Sequence, residues 1–197
     1  MKMILSVLIL MLAVCQAVPQ KTMTRDEWLS ARTRIYNGKT EGEALSAAER
    51  LFRLADGNDF TITHSASDLR ATRDWIVYLV IMGQRGTDGW RVEARQKGNQ
   101  VGVAVQLATG RISMMPGAYG SVYSEAGSAK QVEGDAIYTL FFRRLEYLLG
   151  LESEWLTCSR MQELITKGTA WGEIEALCNS FNVTDTHPGT GEALRGR

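Results

Sequence analysis

Between Trp90 and Leu107 the chain switches between apolar and polar at nearly every residue, and this stretch limits the fold more than any other. Trp90, Val92 and Ala94 alternate with Arg91, Glu93 and Arg95; Lys97-Gly98-Asn99 interrupts; Val101, Val103, Val105 and Leu107 then alternate with Gly102, Ala104 and Gln106. A period of two puts each apolar set on one side of a sheet, and a Gly-Asn turn between two such runs reads as a β-hairpin. A second turn at Ala108-Thr109-Gly110 leads into Arg111-Ile112-Ser113-Met114 and predicts a third strand. Two or three strands are marginal alone in water, so the apolar face demands a cover. The opposite face, carrying Arg91, Glu93 and Arg95, is mixed.

Helical patterns supply the cover. Thr24–Asn37 opens on Thr24-Arg25-Asp26-Glu27, a capping box, and places Trp28, Ala31 and Ile35 at spacings of three and four, with Gly38 as its stop. Glu43–Ala55 gathers Leu45, Ala48, Leu51, Phe52 and Ala55 on one face, and Gly57 to Thr63 reads as extended. Ser65 or Ser67 begins a third expected helix, with Asp68 in its first turn. Its increasingly apolar body of Trp75, Ile76, Val77, Leu79, Val80, Ile81 and Met82 is apolar nearly all round, which favours a buried central helix. The run Ile76-Val77-Tyr78-Leu79-Val80-Ile81 is also rich in strand formers, an ambiguity that periodicity does not remove. Gly83–Gly89 reads as a loop, Met115–Gly134 as a long loop, and Asp135–Gly150 as an amphipathic helix.

At the N-terminus Met1-Lys2-Met3 precedes an apolar run from Ile4 to Val14 and then Cys15-Gln16-Ala17, the pattern of a secretory signal peptide cut after Ala17. The run falls short of the about 20 residues that a spanning helix needs, so no transmembrane anchor is expected after processing. Leu12-Ala13-Val14-Cys15 also resembles a lipoprotein box, which would make Cys15 a lipidation site; the bulk of Val14 argues against it. Export would leave Cys158 and Cys178 in an oxidising compartment. Ser153–Lys167 and Ala170–Phe181 read as two helices broken at Gly168, with the two cysteines equally far from the break, so a disulfide across a helical hairpin is expected. Closing a loop of about 20 residues stabilises by on the order of 3 kcal/mol.

The expected fold class is therefore α+β: a small antiparallel three-stranded meander packed against several helices, with a C-terminal disulfide-stapled helical hairpin. The expected organisation is a signal peptide at 1–17, a single domain at 18–184 and a flexible tail at 185–197.

Chemistry is thinly marked. The two histidines are His64, with Ser65 and Ser67 beside it, and His187 in the tail. His64 is a weak candidate for a catalytic base, because neighbours in sequence rarely form a triad and no nucleophile elbow surrounds either serine. No zinc-like cluster, EF-hand loop or phosphate-binding loop is recognisable, so no metal and no cofactor are expected. Lys and Arg number 22 against 22 Asp and Glu, and their dispersal argues against a nucleic-acid partner. Arg91 and Arg95, with Tyr119 and Tyr123 in the Gly-rich loop, are the candidate partner-binding residues, since Arg and aromatic side chains dominate protein interfaces. The function expected is an exported, non-enzymatic module that binds another exported protein, of the inhibitor, immunity or accessory kind. The alternatives are an extracytoplasmic hydrolase using His64 and a pocket protein for a small ligand.

Overall fold

The hairpin forms where the alternation puts it, and it is the centre of a larger sheet than the sequence suggests. The computed structural model describes residues 21–56, 60–79, 82–116, 122–126 and 129–178, so the expected signal peptide at 1–17, Cys15, Tyr119, His187 and the expected tail at 185–197 lie outside the described residues. Along the chain run α1 (Arg25–Ala31), β1 (Thr33–Asn37), α2 (Glu41–Asp56), β2 (Thr61–His64), β3 (Asp68–Leu79), β4 (Met82–Lys97) and β5 (Gln100–Pro116). β6 (Val122–Ala126), β7 (Lys130–Gln131), α3 (Ala136–Leu148) and α4 (Cys158–Thr166) follow. The sheet order is β1-β5-β4-β3-β2, with β6 and β7 also paired to β5. Every ladder among the described residues is antiparallel.

The protein is α+β, but among the described residues the sheet has seven strands, not three. β4 starts at Met82 and absorbs the expected Gly83–Gly89 loop, while β5 runs unbroken through Ala108-Thr109-Gly110, where a turn was expected. The long loop after Met115 contains β6 and β7. The apolar run from Ser65 to Met82 is largely strand β3, not a central helix. The first helix stops at Ala31, with Arg32 as its C-cap, and Thr33–Asn37 leaves it as a strand. The C-terminal helical hairpin is also corrected: among the described residues α4 is the helix of this region, and those after Ala170 form an isolated bridge and turns.

One face of the sheet holds the core. Leu69 and Ala71 of β3, Trp90, Val92 and Ala94 of β4, and Val101, Val103, Val105 and Leu107 of β5 are all buried there. They pack against Leu51 and Phe52 of α2, Phe141 and Leu145 of α3, and Met161 of α4. Trp90 packs against Phe52 at 5.4 Å and Phe141 at 5.5 Å, ring centre to ring centre, and the two phenylalanines also meet at 5.9 Å. Strand register fixes this inventory, since a slip by one residue would turn every one of these side chains to the other face. At the hairpin tip Gly98 takes φ 60°, a conformation costly for any residue with a Cβ.

The C-terminal segment is pinned onto the start of α3. Gly134 and Gly172 form an isolated bridge, and a Cβ on Gly134 would lie 2.6 Å from the Trp171 carbonyl. The Trp171 amide donates to the Asp135 carboxylate at 2.8 Å, and the Ala136 amide donates to the Trp171 carbonyl at 3.0 Å. The Cys158–Cys178 disulfide, with Cα atoms 5.8 Å apart, then ties the first residue of α4 to the end of this segment. The expected bridge is present, although the geometry that brings the thiols together is helix against turn.

Candidate functional site: the open face of the sheet

Among the described residues no helix covers the second face of the sheet. It carries Asp68, Arg70, Thr72, Asp74, Ile76 and Tyr78 from β3, the odd-numbered residues of β4 and the even-numbered residues of β5 from Gln100 to Ile112. The registers Trp75↔Gly86 and Gly89↔Ala108 continue the alternation without a bulge.

Near the hairpin tip this face is a chain of charges. Arg70 lies 3.7 Å from Asp68, Arg91 lies 3.3 Å from Asp68 and 3.2 Å from Glu93, and Arg95 lies 3.2 Å from Glu93. The Ser65 hydroxyl, hydrogen-bonded to Asp68, holds that carboxyl below its usual value, helped by Arg91 and Arg70. Solvent-exposed pairs of this kind contribute about 0–1 kcal/mol each, so the network sets a pattern of charge more than stability. Arg91 and Arg95 thus share one face, as the alternation requires, but each is already paired with an acid.

Farther along the same strands the character changes. Gly89 of β4 and Ala108 and Gly110 of β5 have little or no side chain, and with Ile76 and Ile112 they line a depression of about 750 Å³, which Trp75 and Gly86 border from the opposite face of the strands. Arg85, Thr87 and Asp74 stand in its wall, the Thr87 hydroxyl donating to the Asp74 carboxylate at 2.5 Å. Ile76 and Tyr78 are 49% and 76% exposed. Bare backbone beside apolar side chains is a surface that another chain can approach closely.

Two other depressions lie off this face. One, of about 590 Å³, runs beside the disulfide along Gln162, Thr166 and Ile174. The other, of about 800 Å³, contains Lys21, Arg111, Lys130 and Trp171. Its charges are partly matched internally: Arg111 pairs with Glu173, and the Lys21 ammonium lies 5.2 Å from the centre of the Trp171 ring.

His64 stands at the end of β2, where its Nε2 lies 3.0 Å from a carboxylate oxygen of Glu49 on α2. The same carboxylate accepts two bonds from Arg53, which hold its pKa below the ordinary value. The Ser65 hydroxyl accepts from the Asp68 amide at 3.2 Å. His64 and Ser65 therefore belong to different hydrogen-bonded groups, and no histidine–serine contact emerges from their adjacency in sequence. Among the described residues no group of three or more His, Cys, Asp and Glu is placed to hold a metal ion, and no helix is long and apolar enough to cross a membrane. Tyr123 belongs to β6.

Sequence reasoning missed Ile76, Tyr78 and the Gly/Ala floor, because Ser65–Met82 read as a helix and Gly83–Gly89 as a loop. The available signal was the strand-forming composition of Ile76–Ile81. No protein-family model, no curated protein and no solved structure matches this chain.

Proposed function

We propose that the protein is an exported, non-enzymatic binding module that docks another exported protein on the open face of its sheet. The observation that carries this reading is the one-sided sheet: helices bury one face, while the other presents the bare-backbone depression with exposed Ile76 and Tyr78 beside it. An antiparallel sheet with one solvated face normally turns polar residues outward. Here Ile76, Tyr78, Gly89, Ala108, Gly110 and Ile112 stand in the far half of that face beside Asp74, Arg85 and Thr87, and the paired charges around Arg91 and Arg95 border it. A partner would bury the apolar part, and the charges would set its orientation. The signal-like N-terminus and the Cys158–Cys178 disulfide support an oxidising compartment outside the cytoplasm.

The test is quantitative recovery of a partner from the periplasm or secretion medium by wild-type protein and by two open-face variants. Ala108→Lys puts a charged chain into the depression, and Arg95→Glu inverts the border. The wild type should retain one protein in equimolar amount. Ala108→Lys should weaken that binding by roughly tenfold or more, about 1.4 kcal/mol, and His64→Ala should leave it unchanged. Recovery that is equal for wild type and both open-face variants would rule the reading out.

A further inference from the structure

β3 has two edges, and they are treated differently. On the β4 side it is paired from Asp68 to Leu79. On the other side β2 pairs only with Leu69 to Thr72. From Arg73 to Leu79 no described strand runs beside it.

The direction of the free backbone groups follows from one hydrogen bond. The Ser65 amide donates to the Asp68 carbonyl at 2.8 Å, so the backbone groups of Asp68 point to the β2 side. In a strand the N–H and C=O of a residue point to the same side, and the side alternates from residue to residue. Asp74, Ile76 and Tyr78 therefore direct both groups at the unpaired edge. Folded proteins usually blunt such an edge with a charged side chain, a proline, a bulge or a very short strand. The run Trp75-Ile76-Val77-Tyr78-Leu79 contains no charge and no proline, and its ladder to β4 is unbroken.

We propose that this edge pairs with the same segment of a second copy of the chain. Arg73–Leu79 would lie antiparallel to its counterpart about a two-fold axis at Ile76, joining the two sheets into one. The choice of axis is constrained. To keep both helical layers on one side, the axis must be normal to the sheet and pass midway between the two copies of one residue, because directly opposed residues in an antiparallel pair face the same way. An axis at Ile76 places Ile76 opposite Ile76, Trp75 opposite Val77 and Asp74 opposite Tyr78. Each of the three residues with outward backbone groups then exchanges its bonds with a residue whose groups also point outward. An axis at Trp75 would require Thr72 as a partner, and that edge belongs to β2. An axis at Val77 would carry Asp74 past Leu79, the last described residue of β3.

The self-pairing is also matched in charge and shape. Asp74 meets a phenol and not another carboxylate, and Trp75 meets a β-branched residue, a favourable cross-strand pair. The balance of 22 basic and 22 acidic residues leaves no net charge to repel a second copy. An unrelated peptide could use the same backbone edge, but it would have to bring an uncharged apolar strand that the second copy already has in register.

Sedimentation velocity of the full exported chain over a concentration series tests this, together with two variants of different physics. Ile76→Lys installs an edge charge. Ile76→Pro deletes an N–H that points away from β4, so it leaves the intramolecular ladder intact. The wild type should sediment at about twice the monomer mass, and each variant should dissociate at roughly tenfold or more higher concentration with unchanged near-UV circular dichroism. Oxidation of an Ile76→Cys variant should give a covalent dimer, since opposed residues in such a pair have Cα atoms about 5.5 Å apart. Asp74→Cys should not cross-link. A wild type that stays monomeric at every concentration would overturn the proposal, as would a dimer that survives both variants or links through Asp74→Cys in preference to Ile76→Cys.

Discussion

β3, β4 and β5 form two regions of one sheet that differ in what holds them. In the half nearer the hairpin tip, the core-facing residues Leu69, Ala71, Trp90, Val92, Val103, Val105 and Leu107 are all buried under α2 and α3. Beyond Arg73 and Asp88 the same strands continue as an arm, in which Trp75 and Val77 are only half-buried and β4 reads Met82-Gly-Gln-Arg-Gly-Thr-Asp-Gly89. The backbone ladder is equally regular in both. Packing decides the fold in the first region, and pairing with neighbouring strands maintains it in the second.

The border is a buried ion pair. Arg73 donates to Asp88 at 2.7 Å, with both side chains about 5% exposed or less, and also to the Glu175 carbonyl at 2.9 Å. The arginine thereby joins the sheet to the C-terminal segment that the disulfide holds. Such a pair adds little stability relative to a well-packed apolar replacement, yet losing one partner is costly because the other charge remains buried.

Four substitutions probe the contrast, from the largest expected effect down. Trp90→Ala removes the ring packed against Phe52 and Phe141 and should destabilise the whole domain by about 3–5 kcal/mol, read as one cooperative loss in a denaturant melt. Asp88→Ala takes the buried carboxylate away from the Arg73 guanidinium and should cost up to about 3–5 kcal/mol. Because Arg73 also holds Glu175, it should release the amides around Glu175 to hydrogen exchange along with the arm. Replacing Cys158 and Cys178 together by serine should cost on the order of 3 kcal/mol and speed proteolysis of the C-terminal segment. Gly86→Ala acts on the arm alone. Its Cβ would fall 2.3 Å from the Trp75 ring and 2.6 Å from the Gly110 carbonyl, so overpacking should cost about 1–3 kcal/mol and raise exchange at β3 and β4 beyond Arg73. An equal rise around Val92 and Val103 would show that the two regions are not separable.

This division also explains what the sequence makes legible. Trp90–Leu107 is readable because packing on one face enforces alternation, and the capping box at Thr24 is present with the Glu27 carboxylate 2.8 Å from the Thr24 amide. The helices around Leu51 and Phe141 are readable for the same reason: each has one buried stripe. The arm is not. Gly83–Gly89 forms a strand through its neighbours' hydrogen bonds, which leave no hydrophobic period. The Ile76 run mimics a buried helix because apolar residues occupy both faces of β3, one of them open to solvent. Ile35 extends a helical stripe from Trp28 by coincidence, since it lies 69% exposed on the open face of β1. For the candidate site, Arg91 and Arg95 were readable from the period of two, whereas the Gly/Ala floor was invisible while β4 and β5 read as loop and turn.

The open face as the working surface is the central claim, and site-specific photo-crosslinking in the compartment where the protein resides tests it most directly. A photoreactive residue at Thr87, on the open face of the arm, should capture one exported protein as an adduct of a single mass. The same residue at Gln162, on the helical side, should capture none. Adducts from Gln162 with none from Thr87 would contradict the assignment and move recognition to the helical side of the molecule.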